Sequence, residues 1–289
     1  MNDQTAPGTA TAPGSGTDLT TATRTEVIAA EPVESLAAVL EVDVPCAAGS
    51  SVPPLWHWMY LLDRRRQSEL GNDGHPTTGI PAPPGPGRRR MFAGGRVTTY
   101  SPLVIGEPAT KVTSISKTVE KEGRTGPLTF VTVLQEISQG GHVVIREEQD
   151  IVYRAPGTGA LPPAPEPPAP PAGPVLSLAV DERMLFRFSA LTYNTHRIHY
   201  DLGYVPTEGY DGLVIHGPLQ ALLMGDHMRR EGIDLVGQTY GYRLVSPMVG
   251  PQTLTIVPGQ DGLERGAESR SAAGAICAVS TLMAGESRG

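Results

Sequence analysis

Within the eight residues from Asn194 to Asp201 the chain carries an amide, two imidazoles and a carboxylate. They are Asn194, His196, His199 and Asp201, in the string Leu191-Thr-Tyr-Asn-Thr-His-Arg-Ile-His-Tyr-Asp201. Imidazole titrates near neutral pH, so it can both take and give a proton. Acid–base work on a carbon acid needs such a group and a second one that holds water or substrate. If the segment bends from a loop into a short helix, Asn194 or Thr195 lies about one turn from His199 and both face a common substrate. Two other readings stay open. The histidines can be hydrogen-bonded helix caps, or they can bind a metal, although the sequence shows no clear further ligand for one.

A second group of residues lies nearby. In Gly212-Leu-Val-Ile-His-Gly-Pro-Leu219, His216, Gly217 and Pro218 introduce the apolar helical run Leu219, Leu222, Leu223 and Met224. Proline suits the first turn of a helix, and the free amides there can polarise a carbonyl oxygen. Gly217 is therefore a candidate oxyanion donor. The plain alternative is an ordinary helix start with His216 in a structural hydrogen bond.

The elements that must position these residues fall into two similar halves. Residues 1–23, rich in Thr, Ala, Gly and Pro, read as a disordered tail. The first half, 24–154, opens with helical spacing over residues 26–40, where Pro32 either splits the helix or marks a first turn. Residues 71–90, with His75, read as a long irregular loop. Strands are expected over 96–101, 110–120, 129–138 and 142–153, with turns at Gly123, Gly126, Gly140 and Gly141. Residues 155–174 form a Pro-rich linker that has lost too many amide protons for a helix or a sheet ladder. Extended, its 20 residues reach on the order of 60 Å. The second half, 175–289, predicts a strand-like stretch over 175–188, a helix over 217–230, and strands near 240–246, 254–258 and 272–283. The class is α+β, one helix plus an antiparallel meander, twice.

Composition narrows the partners. A net charge of −7 and a pI near 5.5 lack the basic excess that binding nucleic acid requires. The basic triplets at 64–66 and 88–90 read as solvated surface or as a pocket for an anionic carrier. Cys46 and Cys277 form no CxxC and no ligand pattern with the histidines, as expected of thiols in a reducing compartment. There is no signal-peptide pattern and no apolar run of about 18 residues, so a soluble, cytoplasmic protein with no membrane partner is expected.

The string Phe188-Ser-Ala-Leu-Thr-Tyr-Asn-Thr-His-Arg-Ile-His-Tyr-Asp201, with Gly209-Tyr-Asp-Gly-Leu-Val-Ile-His-Gly-Pro218 after it, resembles the MaoC-like hydratases. It is particularly similar to their branch of mesaconyl-C4-CoA hydratases and type 2 hydroxyacyl-thioester dehydratases. In the first half, Pro53-Pro-Leu-Trp-His-Trp58, Met91-Phe-Ala-Gly-Gly-Arg96 and Glu147-Glu-Gln-Asp-Ile-Val-Tyr-Arg154 are similar to the non-catalytic N-terminal domain of that branch. The resemblance implies a double hot-dog fold, each half wrapping an antiparallel sheet around a long helix. Those helices would be 217–230 and the region 55–70.

It also implies a hydro-lyase that adds or removes water, in syn fashion, across the α,β double bond of an acyl thioester. The wider family pattern of aspartate, asparagine and histidine falls on Asn194, His196 and His199, so this chain departs from it at the first two positions. His199 is then the general acid/base, Asn194 orients water or substrate, His196 is a second polar group or shuttle, and the Gly217 N–H binds the thioester oxygen. Tyr193, Arg197, His216 and Arg96 are expected at the substrate, with Arg96 or Arg197 meeting a phosphate or an acyl carboxylate unless each is a structural ion pair. No metal and no redox cofactor is implied. Coenzyme A or the phosphopantetheine of an acyl carrier protein belongs to the substrate, whose acyl group could be mesaconyl, itaconyl or biosynthetic, and the fold is compatible with a homodimer. Alternatives are a double-bond isomerase, a thioesterase or a silent hot-dog subunit.

Overall fold

A computed structural model describes residues 21–81, 89–123, 126–154, 169–170 and 172–285. The expected tail up to residue 20 and most of the Pro-rich linker lie outside the described residues.

The first half comprises β1 (Thr21–Val27), α1 (Glu31–Leu40), β2 (Arg89–Thr99), β3 (Pro108–Gly123), β4 (Gly126–Gln139) and β5 (His142–Arg154). In the second are β6 (Leu176–Val180), α2 (Glu182–Thr192), β7 (Leu213–Val214), α3 (Gly217–Arg230), β8 (Gln238–Leu244), β9 (Val249–Gly250), β10 (Gln252–Pro258), β11 (Ala267–Arg270) and β12 (Ile276–Ala284). Ten strands form one antiparallel sheet in the order β1-β3-β4-β5-β2-β8-β12-β11-β10-β6, while β7 and β9 pair apart from it. Each half contributes five consecutive strands, and the halves meet where β2 pairs with β8. Glycine is required at that seam. A Cβ on Gly94 would lie 2.3 Å from the Tyr242 carbonyl oxygen, and one on Gly95 would lie 2.5 Å from that of Glu148. A buried carboxylate ties the seam underneath. Glu147 of β5 accepts from Trp58 Nε1 (2.9 Å) and Gln149 Nε2 (2.8 Å), lies 3.0 Å from His57 Nε2, and receives the Tyr242 hydroxyl of β8 at 3.5 Å.

The helix of the second half forms where its spacing predicts. α3 is buried nearly all round, with Leu219, Leu222, Leu223, Met224 and Met228 in the core against β8, β10, β11 and β12. Such a helix is wrapped by a sheet and not merely laid upon one.

Four points differ from the sequence reading, three of them expectations and the fourth a strand it did not include. The helix expected from residue 26 starts at Glu31, because Pro32 sits in its first turn; ahead of it, Thr21–Val27 alternates in exposure as an edge strand that begins inside the stretch read as tail. The strand-like reading of 175–188 holds only for β6. Asp181 then caps α2 by accepting from the Met184 amide (3.0 Å), and Leu185 and Phe188 fall on its buried face. Region 55–70 holds no long helix but two short 3₁₀ turns, Trp56–Met59 and Gln67–Glu69, with Leu55, Trp56, Met59, Tyr60 and Leu61 buried. The fourth is β11, whose sequence Ala-Glu-Ser-Arg hides a buried strand. Glu268 and Arg270 pair at 2.6 Å, and Ser269 bonds Gln220 of α3 at 3.0 Å.

Short turns fill less space than a long helix would. The strands of the first half therefore leave open space on one side, and Lys111, Gln135, Gln149 and Arg154 line a cavity of about 780 Å³. The cavity continues to the C-terminal end of α2 and the start of α3. Among the described residues no helix is long and apolar enough to cross a membrane.

Candidate active site

α2 ends in a left-handed residue, Tyr193 (φ 52°), and the chain turns back with the Asn194 amide on the Ser189 carbonyl (2.9 Å). This turn brings Asn194 to the cavity wall. Its Oδ1 accepts the His196 amide at 3.0 Å, which fixes the side-chain orientation and leaves the NH2 group for a ligand. His196 stands at the N-terminal boundary of the 3₁₀ turn Arg197–His199, with no side-chain cap bond to it. Asn194 and His199 both line the cavity, as their spacing predicts.

The ring of His199 is held on two sides. Its Nδ1 lies 2.7 Å from the carbonyl oxygen of Val214 in β7. A carbonyl only accepts, so Nδ1 carries the proton of the neutral ring and Nε2 keeps its lone pair. One face stacks on His216, with centroids 3.7 Å apart and planes at 17°. Burial pushes the His199 pKa down to about 3; the Val214 carbonyl opposes this, and His196 and His75 add to it. At neutral pH the resting ring is therefore an uncharged hydrogen-bond acceptor.

His216 is fully buried, with Nε2 2.8 Å from Ser189 Oγ and Nδ1 unpartnered. It does not line the cavity, so it reaches substrate only through the ring stacked on it. Gly217 comes next, at the first position of α3, where an amide has no acceptor within the helix, and it does line the cavity. A Cβ there would lie 2.2 Å from Leu244 Cδ1.

The other expected substrate residues divide. Tyr193, half exposed, lines the cavity. Arg96 and Arg197 do not, and each is an ion pair. Arg96 meets Glu148 (2.7 Å) and Asp150 (3.2 Å). Arg197 holds Asp201 (2.7 Å), donates to the Asn72 carbonyl (3.0 Å) and packs over the Tyr204 ring (4.3 Å). The cations that do line the cavity include Arg90, Arg154 and Lys111.

Sequence reasoning missed what the first half brings to this site. The loop 71–77 docks on the 194–199 turn, so that the Thr195 hydroxyl donates to the Gly74 carbonyl (2.5 Å) and the Arg197 amide to that of Asp73 (2.9 Å). His75 thereby comes within 4.0 Å of His196, centroid to centroid, and His196 stands edge-on to His199 at 5.5 Å. Asp73 grips His75 twice, Oδ1 on its amide and Oδ2 on Nδ1, both at 3.0 Å. Burial takes the His75 pKa to about 4 although Asp73 opposes it; Asp73 itself falls to about 2, since His75 outweighs its own burial. Glu208 Oε1 stands 4.0 Å from His196 Nε2 and accepts the Tyr204 hydroxyl at 3.0 Å. The Asn-Asp-Gly-His of residues 72–75 is legible as a turn, but nothing local says that it meets residues 121 positions away. Asp73, His75 and His196 also present three metal-type ligand atoms within 4.8 Å of one another.

A continuous antiparallel sheet shared by both halves, with a buried helix starting at a cavity and a histidine on that cavity's wall, defines a double hot-dog fold. Solved structures share the fold. A MaoC-like dehydratase from Phytophthora capsici superposes with a TM-score of 0.66 at 13% identity, covering 92% of this chain and 96% of that one. HtdX of Mycobacterium tuberculosis gives 0.62 at 17% identity, with 91% and 98% covered. The profile of hydroxyacyl-thioester dehydratase type 2 matches residues 55–250. The mesaconyl-C(4)-CoA hydratase of Chloroflexus aurantiacus is 44% identical over 257 residues, 86% of this chain and 91% of that protein. The mitochondrial hydroxyacyl-thioester dehydratase type 2 of Schizosaccharomyces pombe is 26% identical over 265 residues, covering 80% and 87%. The chain belongs to the hydroxyacyl-thioester dehydratase type 2 family. Its activity is that of a hydro-lyase on acyl thioesters.

Proposed function

We propose that the chain reversibly hydrates an enoyl-CoA whose acyl group carries a second carboxylate, as mesaconyl and itaconyl groups do. The observation that carries the chemistry is the His199 Nδ1 to Val214 hydrogen bond, which leaves Nε2 as the acceptor of a ring on the cavity wall. In the hydration direction water donates to that nitrogen while the Asn194 amide holds its oxygen. As oxygen bonds to Cβ, the proton passes to Nε2 and the π electrons move toward the thioester oxygen, where the Gly217 amide receives the growing charge. The imidazolium then returns the proton to Cα, which completes addition of H and OH to one face. Side chains and substrate account for every proton and electron pair, so the proposal includes no metal and no redox cofactor.

The acyl preference has two supports. One is the 44% identity to a mesaconyl-C(4)-CoA hydratase. The other is the pair of cations Arg90 and Arg154, which line the cavity from the adjoining ends of β2 and β5, where Arg90 stands opposite Tyr153, and which suit a carboxylate at the far end of the acyl chain.

The test monitors enoyl-thioester absorbance with crotonyl-, mesaconyl- and itaconyl-CoA, for the wild type and His199→Gln. Turnover by the wild type, faster with a dicarboxylic acyl group and reduced about 10²–10⁴-fold in the variant, is expected. Release of free thiol without a hydroxyacyl product would refute the assignment.

A further inference from the structure

The His199 mechanism creates a positive charge in a buried place, and its own motif offers little to balance it. Val214 provides a neutral carbonyl, Asn194 a neutral amide, and Asp201 is committed to Arg197. A cation forming away from water is costly unless an opposite charge stands nearby. Two carboxylates stand near the row of imidazoles: Glu208 of the same half, 4.0 Å from His196, and Asp73 of the first half, on His75 at 3.0 Å.

We propose that Asp73 is the acidic member of the catalytic set, acting as a positioning residue through His75 on the imidazole cluster of His196 and His199. This rests on the hydro-lyase reading above and extends it to the half of the molecule whose sequence resembles a non-catalytic domain. Four features support it. Asp73 clasps His75 through both oxygens, so the neutral ring carries its proton on Nδ1 and keeps Nε2 as an acceptor. His75 lines the cavity and touches His196, whose ring adjoins that of His199, so a continuous row of imidazoles links the carboxylate to the base. The loop is held in place by the Thr195 and Arg197 bonds to Gly74 and Asp73, and by Arg197 Nη1 on Asn72. Its closest approach admits no side chain, since a Cβ on Gly74 would lie 1.8 Å from the Thr195 carbonyl oxygen.

Asp73 transfers no proton in this scheme. It fixes the tautomer of His75 and sets a negative charge at the end of the row of imidazoles while the imidazolium forms on His199. The competing carboxylate is Glu208, 4.0 Å from His196 and engaged by Tyr204.

The test is complementation. Asp73→Asn keeps size and should lower kcat about a hundredfold, with KM nearly unchanged and the folded circular dichroism spectrum retained. Asn194→Asp added to that variant places a carboxylate on the same cavity wall and should recover at least tenfold of the loss. A purely structural role for Asp73 would not be rescued in this way. Wild-type kcat in Asp73→Asn, a double variant no more active than the product of the two single losses predicts, or a loss confined to Glu208→Gln would each overturn the proposal. Failure of the wild type to hydrate any thioester would instead remove the reading beneath it, and the two failures are distinguished in one assay.

Discussion

Gly74→Ala isolates the contact between the two halves, because it adds one methyl group at the point where loop 71–77 meets the catalytic turn. The new Cβ would lie 1.8 Å from the Thr195 carbonyl oxygen, 2.7 Å from its carbon and 3.3 Å from His196 Cα. All three are backbone atoms, so no side chain can swing aside. A carbon–oxygen contact needs roughly 3.3 Å, and the loop must therefore retreat by about 1.5 Å. Gly74 also has φ +90°, a conformation that strains any residue with a Cβ. Retreat breaks the Thr195 to Gly74, Arg197 to Asp73 and Arg197 to Asn72 hydrogen bonds, each worth about 0.5–1.5 kcal/mol, and it draws Asp73 and His75 away from His196. The sheet and the α3 core contain none of these atoms. The expected phenotype is a folded protein with a mobile loop and a kcat on the order of 10²-fold lower, the usual cost of misplacing a catalytic group by about 1 Å. Hydrogen exchange at the amides of residues 71–77 and 194–199, measured beside initial rates, checks both parts. Wild-type kcat together with accelerated exchange would show that docking of this loop is irrelevant to catalysis and would refute its assigned role.

Two further expectations concern stability. Ser189→Ala removes the partner of His216 Nε2 in a ring whose Nδ1 is already unpartnered, and should cost about 1–3 kcal/mol in urea unfolding and loosen the stack beneath His199. Asp73 has a folded pKa of about 2 against an ordinary 3.8, so the unfolded chain binds the proton more tightly and stability falls as pH drops from about 4 toward 2. Glu147 acts in the same direction: burial pushes its pKa up, but the hydrogen bond and charge of His57 bring it below the ordinary carboxylate value. Urea midpoints at successive pH values below 5 should therefore decline, with a shallower slope in Asp73→Asn; equal slopes for both proteins would contradict the assigned ionisation.

Local pattern made the α+β class, the long strands and α3 legible, because their periodicities are short-range. It failed at 175–188 and at β11. The Asp181 cap was present in the sequence as a helix signal, whereas β11 buries Glu268, Ser269 and Arg270 through partners on its own strand and on α3, so polarity misrepresents its burial. At the site, the density of Asn194, His196 and His199 was enough to find the segment. Arg96 and Arg197 were unremarkable in sequence as either ion pairs or substrate ligands, and only their placement beside Glu148, Asp150 and Asp201 decided between the two.

By itself the sequence predicted two halves of similar element order, a central helix opening at His216 and Gly217, and a cluster of histidines of a type that can move protons. Tertiary structure decided which histidine keeps a free nitrogen, since that depends on the Val214 carbonyl, and which carboxylates stand near the imidazoles, since Glu208 approaches His196 and Asp73 arrives from the other half. The physical reason is that hydrogen bonds and charges act over a few ångströms of space, and chain position says little about which groups far apart in sequence come that close.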